Sequence, residues 1–355
     1  MSTAKRVLIT GLNGFVAPHV AITFLERGWT VRGTVRTEEK RTKVLALPGL
    51  KKWAEEGKVE VTVVPDLAKA EWLDVLKGID AVAHVASPFN FTLQSYEDFA
   101  TAAIQGTTNL LEAAAKTPSI KDVAVVGSIV SILDAVKPHA DYKGETFTED
   151  DWLGVTEKEA KAMSLDNPAT SPYWYSVSKK YAELASQEVY KRTNATYGFA
   201  TLCCPGIYGP PEHVSSAKEL MVTPGADIST STLFATLATG EDSPIGPTLV
   251  PHCVDVRDVA LAVYLAITKH ASGRFIISGC TNTVQQIANI GREARPDLAK
   301  HIPKGDPSNI TLPPGTWKLD NSKSQKVLGL DYRPLEETVI DTVTQLEKIG
   351  AYNKG

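Results

Sequence analysis

The stretch that decides the fold is R-V-L-I-T-G-L-N-G-F-V-A, from Arg6 to Ala17. Its apolar residues predict a buried strand over Arg6 to Thr10, and the following helical pattern predicts a helix over Phe15 to Arg27. Gly11 and Gly14 stand between the two elements. Glycines there let a pyrophosphate approach the backbone, while the helix N-terminus offers N–H groups and a favourable dipole. The stretch therefore predicts the first strand–turn–helix unit of a dinucleotide-binding fold.

Beyond this unit, strand-like and helix-like segments alternate through the first two-thirds of the chain. Further strands are predicted at 30–35, 59–64, 79–85, 123–126 and 200–203, with helices between them. Such alternation is typical of a parallel sheet covered by helices. The predicted fold class is α/β, a doubly wound parallel Rossmann-type sheet with a smaller C-terminal substrate-binding lobe.

Composition excludes several classes of function. The 355 residues carry a formal net charge of −4, which gives no basic surface for nucleic acid or an anionic membrane. No apolar run is long enough to span a bilayer, and the N-terminus does not resemble a signal peptide. Cys203, Cys204, Cys253 and Cys280 lack the spacing of metal ligands, so we expect reduced thiols, no metal site and a cytoplasmic location.

The end of the second strand predicts which dinucleotide binds. An acidic residue there would bind the free ribose hydroxyl of NAD, but V-R-G-T-V-R, from Val31 to Arg36, contains no carboxylate. Arg36 stands at the strand tip, and a guanidinium there can bind a 2′-phosphate. We therefore expect NADPH/NADP. The predicted cofactor-binding residues in the first three strand–helix units are Gly11, Asn13, Gly14, Phe15, Val16, Arg36, Asp66 and Leu67.

This assignment sets the predicted domains. Residues 1–204 form the NADP-binding Rossmann domain, whose sheet is completed by part of 250–280. Residues 205–355 form mainly the substrate-binding lobe. Within it, Gly, Pro and Ser accumulate over 206–231, which predicts a loop or lid, and the remainder to Gly355 predicts short elements mixed with turns.

A catalytic group is predicted from Y-S-V-S-K, residues Tyr175 to Lys179. Positions i and i+4 of a helix share a face, so the phenol and the ammonium can converge on one bound ligand. The positive charge is expected to lower the tyrosine pKa, and the phenol can then protonate an alkoxide. Ser128, at the end of the fifth strand, could stabilise the oxyanion, with Ser131 as the competing candidate.

These motifs resemble the extended short-chain dehydrogenases/reductases, nearest to the dihydroflavonol 4-reductase-like group and the fungal and yeast aldehyde/ketone reductases. Ser128, Tyr175 and Lys179 fall on the family's serine, tyrosine and lysine. The resemblance implies NADPH-dependent reduction of an aldehyde or ketone, with Tyr175 as proton donor. It also implies cofactor contacts from H-V-A-S-P-F and P-G-I-Y-G-P, at Val85, Ala86, Pro205, Gly206 and Ile207.

Two positions depart from the family pattern. Gly127 replaces a hydroxyl residue before the serine, and Leu133 stands where plant flavonoid reductases carry an asparagine, which argues against flavonoids. Two other classes stay open: an NAD(P)-dependent epimerase or dehydratase, acting as an isomerase or lyase on the same fold, and a non-catalytic cofactor-sensing protein. Arg36 argues against the first, and the intact Tyr175–Lys179 pair argues against the second.

The expected substrate is a hydrophobic small-molecule carbonyl compound. The predicted pocket residues are apolar or aromatic: Phe89, Phe91, Ile129, Leu133, Trp174 and Tyr208. Burying a nucleotide sugar among such residues would leave its polar groups without partners. We expect the protein to act as a monomer or homodimer.

Overall fold

The computed structural model describes residues 4–86, 95–164, 166–167, 169–221 and 228–353. The strands are β1 Arg6–Ile9, β2 Thr30–Val35, β3 Val59–Val63, β4 Ala81–His84, β5 Asp122–Ser128, β6 Thr146–Phe147, β7 Gly198–Cys204, β8 Gly206–Tyr208, β9 His252–Asp255, β10 Gly273–Ile276, β11 Cys280–Thr281 and β12 Lys318–Leu319. The α-helices are α1 Val16–Leu25, α2 Glu38–Leu45, α3 Pro48–Glu55, α4 Trp72–Val75, α5 Tyr96–Ala115, α6 Glu157–Lys161, α7 Thr170–Arg192, α8 Ala217–Met221, α9 Ile228–Leu237, α10 Val256–Thr268, α11 Val284–Ala294 and α12 Leu335–Lys348.

The central sheet has seven parallel strands in the order β3-β2-β1-β4-β5-β7-β10. Val7 of β1 pairs with Val31 on one side and with Ala81 on the other. The chain therefore reverses its direction of winding between β1 and β4. In open parallel sheets, ligands bind in the crevice at the carboxyl ends of the strands at such a point. The predicted Rossmann-type fold class is confirmed.

Helices cover both faces of the sheet because its strands are apolar on both sides. Val20 and Phe24 of α1 pack with Val263 of α10 on one face. Leu111 of α5 and Val189 of α7 pack with α4 on the other. Burial on two faces explains why these strands read as continuous apolar runs rather than alternating ones.

The sequence-based boundaries agree with the structure for β2, while α1 is shorter than predicted, ending at Leu25. Gly28, with φ of +82°, adopts the left-handed conformation that follows many helix ends. The predicted loop over 206–231 is partly wrong, because it contains β8, α8 and the start of α9. The prediction of short elements mixed with turns toward the C-terminus is also wrong in part: β11 and β12 are two residues long, but α11 and α12 are regular helices.

Residues from 205 onward both extend the sheet and build a second body. β10 pairs with β7 as the outermost strand of the central sheet. In a second, three-stranded sheet, β9 pairs antiparallel with β11 and parallel with β8. Asp255 caps α10 by accepting from Arg257 N at 2.7 Å, and the Arg257 guanidinium reaches Asp341 of α12. No helix in the described ranges is long and apolar enough to cross a membrane.

Candidate active site

The glycine turn after β1 has the geometry of a phosphate cradle. Gly11 has φ of +69°, and a Cβ there would approach the Ala86 Cβ to 3.0 Å, so a larger residue is excluded on both counts. Gly14 N donates to Gly11 O at 2.9 Å, and Gly14 is exposed. Asn13 is partly exposed, and α1 begins at Val16 with its first N–H groups facing the turn. The described residues therefore fit a dinucleotide pyrophosphate.

Phe15, predicted to contact the cofactor, is buried at the start of α1. It is 6% exposed, and its ring lies 5.6 Å from that of His213 in an edge-on arrangement. Its packing anchors the turn to the segment that follows β8.

A hydrogen-bonded chain that sequence analysis missed fixes the two loops beside this turn. Thr10 Oγ1 accepts from Val85 N at 3.1 Å and from Ala86 N at 3.0 Å. It lies 2.9 Å from His84 Nδ1, and His84 Nε2 lies 3.0 Å from Thr107 Oγ1. Thr107 in turn donates to a backbone carbonyl of α5. Because the Thr10 oxygen already accepts twice, its proton goes to Nδ1, which makes His84 a neutral Nε2–H tautomer.

Burial enforces the same neutral state. His84 is 4% exposed, and desolvation lowers its pKa to about 4, assisted by the Lys179 charge. This series of hydrogen bonds therefore holds the ends of β1 and β4 against α5 without a buried charge. Val85 and Ala86, which were predicted to contact the cofactor, are positioned by it.

The adenosine side of the crevice carries the predicted NADP-selecting residues. Arg36 directly follows β2 and is exposed, and within the described residues it forms no ion pair. Arg41 and Lys43, by contrast, are paired with Glu38 and Glu39 of α2. A guanidinium at the strand tip that pairs with none of the described carboxylates is available to an anion such as a 2′-phosphate.

Asp66 and Leu67 lie at the next strand end, just beyond β3. Asp66 is exposed, and one of its oxygens accepts from Ala68 N at 2.9 Å. Leu67 O accepts from the indole N–H of Trp72 at 3.1 Å, which fixes this loop against α4. The other carboxylate oxygen of Asp66 lies 3.8 Å from the Lys69 ammonium.

Ser128, Tyr175 and Lys179 converge at the carboxyl edge of the sheet. Ser128 ends β5, and its side chain forms a hydrogen bond with Tyr175. Lys179 Nζ lies 5.7 Å from the centre of the Tyr175 ring on the same face of α7. All three side chains are partly exposed, so a ligand can reach them. Ser131, the competing candidate, is buried and donates to Ser128 O at 2.9 Å, which makes it a support for the turn.

The ionisation of this group differs from the sequence-based expectation. Burial raises the pKa of Tyr175 to about 12, against the lowering effect of the Ser128 hydrogen bond. The expected lowering of the tyrosine pKa is therefore wrong for the protein alone, because desolvation of the phenolate raises that pKa more than the Ser128 hydrogen bond lowers it. Burial also lowers the pKa of Lys179 to about 8, while Glu183 acts in the opposite direction. At neutral pH the pair consists of a phenol and an ammonium.

An ion pair behind Lys179 joins three parts of the site. Glu183, one turn further along α7, accepts from Arg274 Nε of β10 at 2.8 Å, and both side chains are buried. Arg274 also donates to Glu149 O and to Ser131 Oγ and lies 3.7 Å over the Trp152 ring. Sequence analysis missed this pair, because Arg274 looks like an ordinary strand residue.

The segment predicted to meet the nicotinamide is a short strand edge. Pro205 precedes β8, where Gly206 and Ile207 are partly exposed and pair with Cys253 and Val254 of β9. A Cβ on Gly206 would lie 3.2 Å from the Tyr208 ring, so a larger residue here would crowd that ring.

The predicted substrate-pocket residues are placed differently from expectation. Ile129 and Leu133 pack with Trp317 in one hydrophobic cluster, and Trp174 packs in another, where its indole donates to Ala160 O. Tyr208 belongs to a third cluster in the C-terminal body. Phe89 and Phe91 lie outside the described residues. Apolar character predicted burial at these four positions, but core packing rather than a pocket accounts for it.

Fold and site together define a dinucleotide-dependent enzyme of the Rossmann class with a serine–tyrosine–lysine group. Residues 7–278 match the model of the NAD dependent epimerase/dehydratase family. The chain belongs to this family, that of the extended short-chain dehydrogenases/reductases.

Relatives cover nearly the whole length of the chain. Ketoreductase azaE of Aspergillus niger is 32% identical, over 97% of this chain and 98% of its own. The NADPH-dependent methylglyoxal reductase GRE2 of Saccharomyces cerevisiae is 30% identical, over 96% of this chain and 98% of its own. The crystal structure of yeast methylglyoxal/isovaleraldehyde reductase Gre2 complexed with NADPH superimposes with a TM-score of 0.80 at 27% identity, covering 98% of this chain and 99% of that chain.

Proposed function

We propose that this protein is an NADPH-dependent reductase of aldehydes or ketones. The observation that carries the proposal is the convergence of Ser128, Tyr175 and Lys179 at the carboxyl end of β5, beside the crevice that the Gly11 turn opens. The relatives named for ketone and methylglyoxal reduction support the same chemistry.

The site residues have distinct tasks in this reaction. NADPH, when bound, supplies the hydride that adds to the carbonyl carbon. The Ser128 hydroxyl donates a hydrogen bond to the carbonyl oxygen and so stabilises the charge that develops there. Tyr175 transfers its phenolic proton to that oxygen, which completes the alcohol. Because its pKa is raised, the phenol keeps its proton until the more basic alkoxide forms.

Lys179 assists in two ways. Its ammonium is near enough to stabilise the phenolate that remains on Tyr175 after proton transfer. It would also hold the ribose hydroxyls next to the nicotinamide. Val16, Asn13 and the Gly11 turn would hold the pyrophosphate, Arg36 the 2′-phosphate, and the Pro205–Ile207 edge the carboxamide.

For the substrate we propose a hydrophobic carbonyl compound. Phe89 and Phe91 follow β4 in the sequence, and Ile207 is partly exposed at the β8 edge. Asp134, the nearest charged residue after Ser128, is occupied by the Tyr173 hydroxyl at 2.6 Å. Apolar surface removed from water contributes about 25 cal/mol per Å², whereas unpaired sugar hydroxyls would oppose binding. The location in the cytoplasm and the monomeric or dimeric state stay predictions.

The decisive test is NADPH oxidation, followed by absorbance, with the purified protein and two classes of carbonyl compound. We expect steady consumption with benzaldehyde-like compounds or hydrophobic keto esters, and a lower kcat/KM with glyceraldehyde. Preference for the sugar-like substrates would contradict the proposed hydrophobic substrate. Tightly bound NAD with no net consumption would instead indicate an isomerase or lyase.

A further inference from the structure

Two cysteines outside the catalytic group face each other across neighbouring strands. Cys253 of β9 and Cys280 of β11 are direct partners in the antiparallel pairing, and their Sγ atoms are 3.4 Å apart. Residues directly opposite in antiparallel strands have Cα atoms about 4.5–5.5 Å apart. That separation lies within the range of about 4.4–6.8 Å that a disulfide requires. A side-chain rotation can therefore close the sulfur–sulfur gap while the strands stay in register.

The two thiols also differ in exposure and in pKa, as an oxidation in two steps requires. Cys280 is partly exposed, whereas Cys253 is 2% exposed. The hydrogen bond from Cys253 lowers the pKa of Cys280, and the same interaction together with burial raises the pKa of Cys253. An accessible sulfur with thiolate character is the one that oxidants attack, and a protected neighbour is the one that resolves the product.

We propose that Cys253 and Cys280 form an oxidation site that a hydroperoxide converts to a disulfide. The Cys280 thiolate attacks one peroxide oxygen, the O–O bond breaks, and with one proton the products are a Cys280 sulfenic acid and water. Cys253 then attacks the Cys280 sulfur, the S–O bond breaks, and the hydroxyl leaves with the Cys253 proton as a second water. Two thiols are oxidised by two electrons and one hydrogen peroxide is reduced to two waters. Catalysis of carbonyl reduction has no part in this step.

The position of the site connects it to the cofactor crevice. Gly206, in the segment proposed to meet the nicotinamide, pairs with Cys253 on the other side of β9. The Tyr208 ring would lie 3.2 Å from a Cβ built on Gly206, and its phenol lies within electrostatic range of both thiols. The side-chain rotation that forms the bond therefore changes the packing of the strand that supports Gly206, and we expect oxidation to weaken NADPH binding several-fold.

The test exposes the full-length protein to hydrogen peroxide, alkylates remaining thiols under denaturing conditions and maps the peptides by mass spectrometry. We expect two fewer alkylated thiols, one peptide pair linking Cys253 to Cys280, and reversal by dithiothreitol. Cys203 and Cys204, which are buried, should stay alkylatable and serve as internal controls. Loss of alkylation at those two with Cys253 and Cys280 still reduced would overturn the proposal.

Variants make the outcome independent of folding and of turnover. In Cys253→Ala we expect Cys280 to stop at a sulfenic acid that a dimedone probe captures, and in Cys280→Ser we expect no oxidation at Cys253. A disulfide-free wild type, or equal dimedone labelling of wild type and Cys253→Ala, would contradict the resolving role. NADPH affinity, measured by fluorescence titration, should fall in peroxide-treated wild type and stay constant in Cys280→Ser treated alike. An unchanged affinity in both would overturn the link to Gly206.

Discussion

Glu183 and Arg274, 91 residues apart in the chain, form a buried ion pair one helical turn beyond Lys179. Through Arg274 the pair also reaches Ser131, whose hydroxyl supports the backbone of Ser128. The Arg274 guanidinium therefore contacts both the residue behind Lys179 and the residue that supports Ser128. Glu183 is also a carboxylate that holds the Lys179 ammonium in its charged form.

Glu183→Gln should move the alkaline limb of the pH–kcat/KM profile to lower pH. Burial lowers the pKa of Lys179 to about 8, even though Glu183 raises it. Removing the Glu183 carboxylate should therefore lower the Lys179 pKa further. Activity needs the ammonium and is lost as pH rises through this pKa. The profile of the free enzyme, from kcat/KM, reports the change. A uniform drop at every pH would indicate a purely structural role for Glu183.

The same variant should be less stable, since it leaves the buried Arg274 charge without its carboxylate partner. Breaking one side of a buried pair costs about 3–5 kcal/mol. Chemical denaturation of Glu183→Gln and of the double variant Glu183→Gln/Arg274→Met measures it. The double variant should recover part of the loss, and equal stability of both variants would show that Arg274 is held mainly by its backbone contacts.

Tyr175→Phe should reduce kcat by a factor on the order of 10² to 10⁴, because it removes the proposed proton donor and keeps the ring. NADPH affinity should change little, since Lys179 still holds the ribose. Steady-state kinetics measures the change in kcat, and NADPH fluorescence titration measures the change in affinity. Near wild-type kcat would show that another group delivers the proton.

Arg36→Ala should weaken NADPH by about ten- to a hundredfold, because a charge-assisted contact contributes roughly 1.5–3 kcal/mol. NADH, which has no 2′-phosphate, should bind as before. Arg41→Ala is the matched control, since Arg41 lies five positions further on and already pairs with Glu38. Equal weakening of both cofactors would make Arg36 a structural residue.

His84 should make the protein less stable as the pH falls. Its pKa is lowered from an ordinary value of 6.5 to about 4, so below 6.5 the unfolded chain binds a proton that the folded protein excludes. Stability is therefore retained above pH 6.5 and declines from there toward about 4. Buried His19 has the same direction and titrates over the same window.

Denaturation midpoints at several pH values test this. His84→Leu should flatten the decline and lower stability at pH 7 by about 1–3 kcal/mol, because Thr10 and Thr107 lose a buried partner. His301→Gln, at a partly exposed histidine, is the control and should keep the wild-type slope. An unchanged slope in His84→Leu would mean that His84 is not the titrating group.

The sequence by itself determined the parallel sheet, the glycine turn and the tyrosine–lysine pair. Each depends on neighbours a few positions apart, through strand apolarity, the left-handed φ of Gly11 or the i, i+4 geometry of α7. Tertiary structure alone decided the partners of Glu183, His84 and Cys253, which join strands and helices distant in the chain.

The tertiary structure also decided which buried side chains belong to the hydrophobic core. Ile129, Leu133, Trp174 and Tyr208 read as apolar in the sequence, and apolar character predicts removal from water equally well for a core and for a ligand pocket. Only the packing of surrounding elements distinguishes the two, because the hydrophobic effect is non-directional. The direction in which each side chain points is set by neighbours that no local pattern encodes.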